Sequence, residues 1–155
     1  MERQKIIKEL EDVVLDITLF LRHEIGSEIN CEIGKSVINL SHNQQMILFL
    51  IEKKDIKHVK DLASYLSISP SAVSQIIAKF EQQDIVIREI QLSNRRTTLI
   101  KIGPKGREIL NEMDAIKSNV FVKYLSKMEE EDLLSFKKSF HKFLNIIVEH
   151  KEEHE

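Results

Sequence analysis

A chain of 155 residues that is 42% hydrophobic and 31% charged fits one soluble domain with an ample core. Charges interrupt every apolar stretch well before the roughly 18 residues a membrane span needs, and Met1 to Lys5 does not read as a secretion signal, so a cytoplasmic protein is expected. The one cysteine, Cys31, excludes an intramolecular disulfide framework and suits a reducing compartment.

The first predicted element runs from Glu2 to about Ile25, where apolar residues at 6, 7, 10, 13, 14, 17, 20 and 21 form a stripe down one helix. A second helix is predicted from Ser41 to about Lys53. Ser41 and Gln44 have capping-box spacing at its start, and Met46 to Ile51 is apolar nearly all round, which predicts deep burial. Val59, Leu62, Ala63 and Leu66 then form one face of a short helix ending before Ser67. Ser69 is placed to cap the next helix, and Pro70 suits a first turn, where a missing N–H costs nothing. That helix is predicted from Pro70 to about Gln83. Val73, Ile76, Ile77 and Phe80 turn inward, and Ser71, Ser74, Gln75 and Lys79 are left on the outer face.

Two β-branched runs, Val86 to Leu92 and Thr97 to Ile102, flank a polar tip, Ser93-Asn94-Arg95-Arg96, and read as a hairpin. A long helix from Lys105 to about Lys127 carries Ile109, Leu110, Met113, Ile116, Val120 and Tyr124. The last runs from about Glu129 to His150, with Leu133, Leu134, Phe136, Phe140, Phe143, Leu144, Ile147 and Val148, and Ser126 and Glu129 have capping-box spacing at its start.

Two helices joined by a tight corner and followed at once by a basic-tipped hairpin form an arrangement suited to DNA. The outer face of the second helix offers short polar and cationic groups for base edges and phosphates in a major groove. Adjacent arginines at a hairpin tip can grip phosphates or enter a minor groove. Charge follows the same division. Residues 57 to 107 hold nine Lys/Arg against four Asp/Glu, a net of +5, while the remainder holds 14 against 21, a net of −7. The overall −2 thus conceals a basic reader on an acidic frame.

Leu40-Ser41 and Gln45, Asp61-Leu62-Ala63, Ser71-Ala72-Val73-Ser74 and the segment from Asn94 to Gly106 together resemble the MarR family of winged-helix regulators. In that family the wing usually carries Asp-x-Arg, then Leu-Thr and a glycine. Arg96 and Gly106 match, Asn94 replaces the aspartate, and Ile102-Gly103 stands where Leu-Thr is usual. Asparagine accepts a hydrogen bond without charge assistance and so holds the wing less firmly. Gly103-Pro104 replaces a threonine cap with a weaker cap and a favourable first-turn proline.

The fold class expected is mainly α with a small β-hairpin wing. One domain, 1–155, would combine a winged helix at about 41–104 with dimerisation helices at about 2–26 and 105–150. The resemblance implies a homodimer with two reading heads on successive major-groove faces, and hence a roughly palindromic operator. The expected DNA contacts are Lys60, Ser69, Ser71, Ser74, Gln75, Lys79, Arg95 and Arg96.

The family also responds to oxidants, zinc or small lipophilic compounds. Cys31 lies after the first helix, between Glu28 and Glu32, whose charges disfavour a thiolate, and reads as incidental. Glu24, Cys31, His42 and Glu112 resemble part of the set in the zinc-responsive branch, but Met113 and Lys117 stand where its histidines would be, and zinc is not favoured. His150 and His154 read as a solvated tail. Phe20, His23, Ile47 and Phe49 are candidates to line an effector pocket. No cofactor is required, and a small-molecule effector is allowed for. Without a Gly-rich phosphate loop, nucleophile motif or metal triad, an enzyme is not expected. The function expected is a sequence-specific, double-stranded-DNA-binding transcription regulator, a repressor by family tendency. The alternatives are a winged-helix protein-interaction module and a zinc-responsive member of the same family.

Overall fold

The computed structural model describes residues 1–29, 39–90 and 98–152. Cys31, Asn94, Arg95, Arg96 and His154 lie outside the described residues. In chain order the elements are α1 (Glu2–Ile29), α2 (His42–Lys54), α3 (Val59–Leu66), α4 (Pro70–Gln82), β1 (Val86–Ile90), β2 (Thr98–Ile102), α5 (Pro104–Leu125) and α6 (Glu130–Glu152). This is the mainly helical winged-helix class that the periodicities predict, with one antiparallel hairpin. The chain divides into two compact units, Met1–Lys117 and Ser118–Glu155.

The helix starts follow local chemistry. Ser41 Oγ accepts the Gln44 N–H at 3.3 Å while Gln44 Oε1 accepts the Ser41 N–H at 2.8 Å, a reciprocal box that satisfies two donors otherwise left over at a helix start. The stops use left-handed residues other than glycine: Asp55, Ser67 and Asp84 have φ of 56°, 54° and 56°. Short polar side chains tolerate that region better than bulky ones. The box expected at Ser126 and Glu129 does not form. The Ser126 N–H reaches back to the Val122 carbonyl at 3.2 Å, closing α5, and α6 begins at Glu130 with an acidic first turn of Glu130, Glu131 and Asp132.

In the first unit the core joins Ile47, Leu48, Leu50 and Ile51 of α2, Leu62 of α3, Val73, Ile77 and Phe80 of α4, Val86 and Ile100 of the hairpin, and Ile109, Leu110, Met113 and Ile116 of α5. No polar or charged residue is buried among the described residues. The hairpin register pairs Val86 with Ile102, Arg88 with Ile100 and Ile90 with Thr98. Side chains alternate across a strand, so Val86, Arg88 and Ile90 share the face of Ile100 and Ile102. Burial of Val86 and Ile100 identifies that face as the one turned to the core.

The junction between hairpin and α5 depends on two glycines. A β-carbon on Gly103 would lie 2.4 Å from the Asp84 carbonyl oxygen, and one on Gly106 only 2.1 Å from that of Ile85. Within this close approach the Gly103 N–H donates to the Ile85 carbonyl at 2.9 Å and the Lys105 N–H to the Asp84 carbonyl at 3.1 Å. The weak side-chain cap read from the sequence is thus made good by backbone: the Asp84 carbonyl takes an N–H from the first turn of α5. Ion pairs tie α2 to α5. Arg107 holds Glu52 through two N–H groups at 2.5 and 3.1 Å, and Asp114 accepts from Lys117 at 3.1 Å and Lys53 at 3.4 Å. The Arg107 hydrogen bonds hold the Glu52 carboxyl below its ordinary value, and those from Lys117 and then Lys53 do the same for Asp114.

The same substitution is expected to act oppositely at two glycines. Gly26→Ala in α1, where a β-carbon meets nothing within 4 Å, should stabilise by about 1 kcal/mol, the helix-propensity difference. Gly106→Ala should destabilise by about 2–3 kcal/mol, because its obstacle is backbone. Urea unfolding at fixed protein concentration measures both, and equal effects would refute the close approach.

Glu52, with its folded pKa lowered, stabilises fully above the ordinary carboxylate range, and the contribution disappears as pH falls through the lowered value. Glu52→Gln should therefore cost about 0.5–1 kcal/mol at pH 7, a partly solvated pair being worth no more, and the gap should close as pH falls below the ordinary carboxylate range. A gap independent of pH in parallel unfolding titrations would contradict this.

Candidate nucleic-acid interface

Between α3 and α4 the corner is built by hydrogen bonds from the residues that break the helical pattern. The N–H groups of Ser67 and Ile68 return to the carbonyls of Ser64 and Ala63 at 3.2 and 3.1 Å, which closes α3. Ser69 then opens α4, its Oγ accepting the Ala72 N–H at 3.1 Å, with Pro70 in the first turn. Ser69 remains exposed, so its hydroxyl proton is free to donate outward even though the oxygen already caps the helix.

Burial of Val73, Ile77 and Phe80 fixes the rotation of α4. Ser71, Ser74, Gln75 and Lys79 are all exposed, together with Ala78 and Gln82. The side chains expected to read DNA therefore lie exposed on a helix of 13 residues whose opposite side is core. Lys60 is exposed in the first turn of α3.

The basic charge is distributed unevenly in its availability. Lys57 pairs with Asp55 at 2.7 Å, Arg88 with Glu81 at 2.8 Å, Lys105 with Glu108 at 2.7 Å, Arg107 with Glu52, and Lys101 with Glu89. The hydrogen bond from Lys105 to Glu108 raises the lysine's pKa. Lys60 and Lys79 have no ion pair among the described residues, which leaves their charge for an outside partner. Sequence reasoning missed the Glu81–Arg88 pair. The two residues lie on different elements seven positions apart, where no periodicity signals contact.

The other expected sites fare differently. Ile47 is fully buried in the core, whereas Phe20 and His23 are exposed on α1 and Phe49 is partly buried. A cleft of about 800 Å³ lies elsewhere, walled by Leu40 and Gln44 at the start of α2, Lys79 and Gln83 at the end of α4, and Pro104 and Ile109 of α5. Of the zinc candidates, His42 is exposed at the start of α2, while Glu24 and Glu112 are partly buried. Glu24 Oε1 lies 3.6 Å from His23 Nδ1. No group of three or more His, Cys, Asp or Glu converges on a metal position among the described residues.

Comparison with known proteins supplies an independent reading. Residues 40–98 match the model of the MarR family. The chain is 27% identical over 140 residues to YdgG of Bacillus subtilis, named an uncharacterized HTH-type transcriptional regulator, covering 87% of this chain and 88% of that one. It is 24% identical over 130 residues to MdtR of the same organism, named an HTH-type transcriptional repressor, covering 83% of each. Among solved structures, a MarR family protein from Bacillus stearothermophilus superposes with a TM-score of 0.79 at 15% identity, covering 94% of this chain and 97% of that one.

Proposed function

We propose, on these likenesses, that this chain is a DNA-binding transcriptional regulator of the MarR family and acts as a homodimeric repressor of a roughly palindromic operator. The observation that carries the reading is the exposed strip Ser71, Ser74, Gln75 and Lys79 on a helix whose other side is buried. Hydroxyl and amide groups there can exchange hydrogen bonds with base edges, and the ammonium of Lys79 can neutralise a phosphate. Lys60, and Arg95 and Arg96 on sequence grounds, supply further phosphate or minor-groove contacts.

Dimerisation is supported by apolar side chains that stand exposed among the described residues. On α1, Ile6, Leu10, Val13 and Leu15 are each half exposed or more. On α6, Phe140, Phe143 and Leu144 stand more than half exposed and line a shallow groove of about 310 Å³. Such surface in water calls for a partner, and a second copy satisfies it with two-fold symmetry. Two heads so related read half-sites about one helical turn, roughly 34 Å, apart. Repression is supported by the name of the relative MdtR. We place a small effector in the cleft behind α4, because Lys79 belongs to both the cleft and the reading face. Zinc has no part in the proposal. No described helix is long and apolar enough to cross a membrane, and reading chromosomal DNA places the protein in the cytoplasm.

The direct test is binding to DNA from the protein's own upstream region, against scrambled competitor, at two salt concentrations. Tight, competitor-resistant and salt-sensitive binding is expected; salt-insensitive, sequence-blind association would point to a protein-interaction module instead. Sedimentation equilibrium should return twice the chain mass. Gln75→Ala should cost about 1–3 kcal/mol at the correct site and relax preference at particular base pairs. Lys79→Ala should weaken all duplexes alike and lower the salt slope by roughly one ion. If the two variants showed the same pattern across sequences, the division of roles along α4 would be wrong.

A further inference from the structure

A two-stranded hairpin does not hold its own direction in water, so the angle of the wing is set by what ties it to the head. Besides the glycine corner at its root, three ties from the strands are present among the described residues. Val86 and Ile100 are buried in the core, the Ile100 N–H donates to the Lys57 carbonyl at 2.9 Å, and Arg88 Nε donates to Glu81 Oε2 at 2.8 Å. The first two hold the base of the hairpin. Beyond Val86 every residue of β1 is exposed, and Arg88 is on the core-turned face, opposite Ile100, from which its side chain reaches α4.

Glu81 is seven residues after Ser74 and two after Lys79, so Glu81 and Ser74 lie on one flank of α4, two turns apart. The arginine tie therefore references the wing to the same helix that carries the reading face. On the opposite face of the hairpin Glu89 pairs diagonally with Lys101, which braces the two strands against each other.

We propose that Glu81 and Arg88 are positioning residues that set the angle of the wing relative to α4, so that the wing meets DNA at a fixed distance from the bases read by Ser74 and Gln75. This rests on the DNA-reading role proposed above. Neither residue touches DNA: Arg88, counted as part of the basic patch by composition, spends its charge on Glu81.

The test uses the full chain and a duplex recovered with the wild-type protein from a random-sequence pool. Hydroxyl-radical footprinting should show central protection with flanking minor-groove protection from the wing. In Glu81→Gln and Arg88→Gln the central protection should persist, the flanking protection should fade, and affinity should fall about fivefold. The unfolding midpoint should move by no more than about 3 °C, as for an exposed pair. The exchanged double variant Glu81→Arg/Arg88→Glu should restore flanking protection, which a merely structural loss would not. Unchanged flanking protection in both single variants, or failure of the exchange to rescue, would overturn the proposal. A wild-type footprint without flanks would overturn the wing reading itself, and this inference with it.

Discussion

The fit of α5 beneath the turn between α4 and β1 is the constraint on which the reading head depends. Backbone meets backbone there, at a distance that no side chain on Gly103 or Gly106 would permit, and two N–H groups of the α5 start donate into the carbonyls of Asp84 and Ile85. Because the contact is main chain to main chain, it fixes direction as well as separation. The end of the reading helix, the root of the wing and the start of the long helix become one rigid corner. The core residues of α2 and α3 then pack against a framework whose angles are already set.

Charge acts on this framework as ties more than as a general field. Of the nine basic residues between 57 and 107, Lys57, Arg88, Lys101, Lys105 and Arg107 are in ion pairs. Asp55, Glu52 and Glu108, the partners of three of them, lie outside that stretch of sequence. The local excess of +5 therefore overstates the charge offered to a polyanion and understates how much of it organises the head. Lys60 and Lys79 stand apart from those pairs.

What was legible in the sequence is what short-range chemistry decides. Ser41 with Gln44, and Ser69 with Pro70, declared their helix starts because a cap needs only the next three residues. The faces of α3 and α4 followed from periodicity, since a stripe that must be buried fixes a helix's rotation and so exposes Ser74 and Gln75. Ser126 and Glu129 misled because spacing cannot tell whether a serine closes one helix or opens the next. Ile47 lies in the core, as the apolar run from Met46 to Ile51 predicts for the helix that carries it. The Glu81–Arg88 and Glu52–Arg107 pairs were illegible for a related reason: which opposite charges meet is decided by the corner, after the local rules have acted.

The core also bears on how such a sequence changes over time. With no polar or charged residue buried among the described residues, nothing inside enforces particular identities through directional bonds. Leu, Ile, Val and Met can exchange there wherever summed volume is kept, each step costing little. Gly106 has no such latitude, because backbone fills the space where any replacement would go. Descent would therefore be expected to scramble the interior of this head while holding Gly106 still, and exposed positions such as Ser71, Ser74 and Gln75 of α4, outside the core, are left to change without disturbing either.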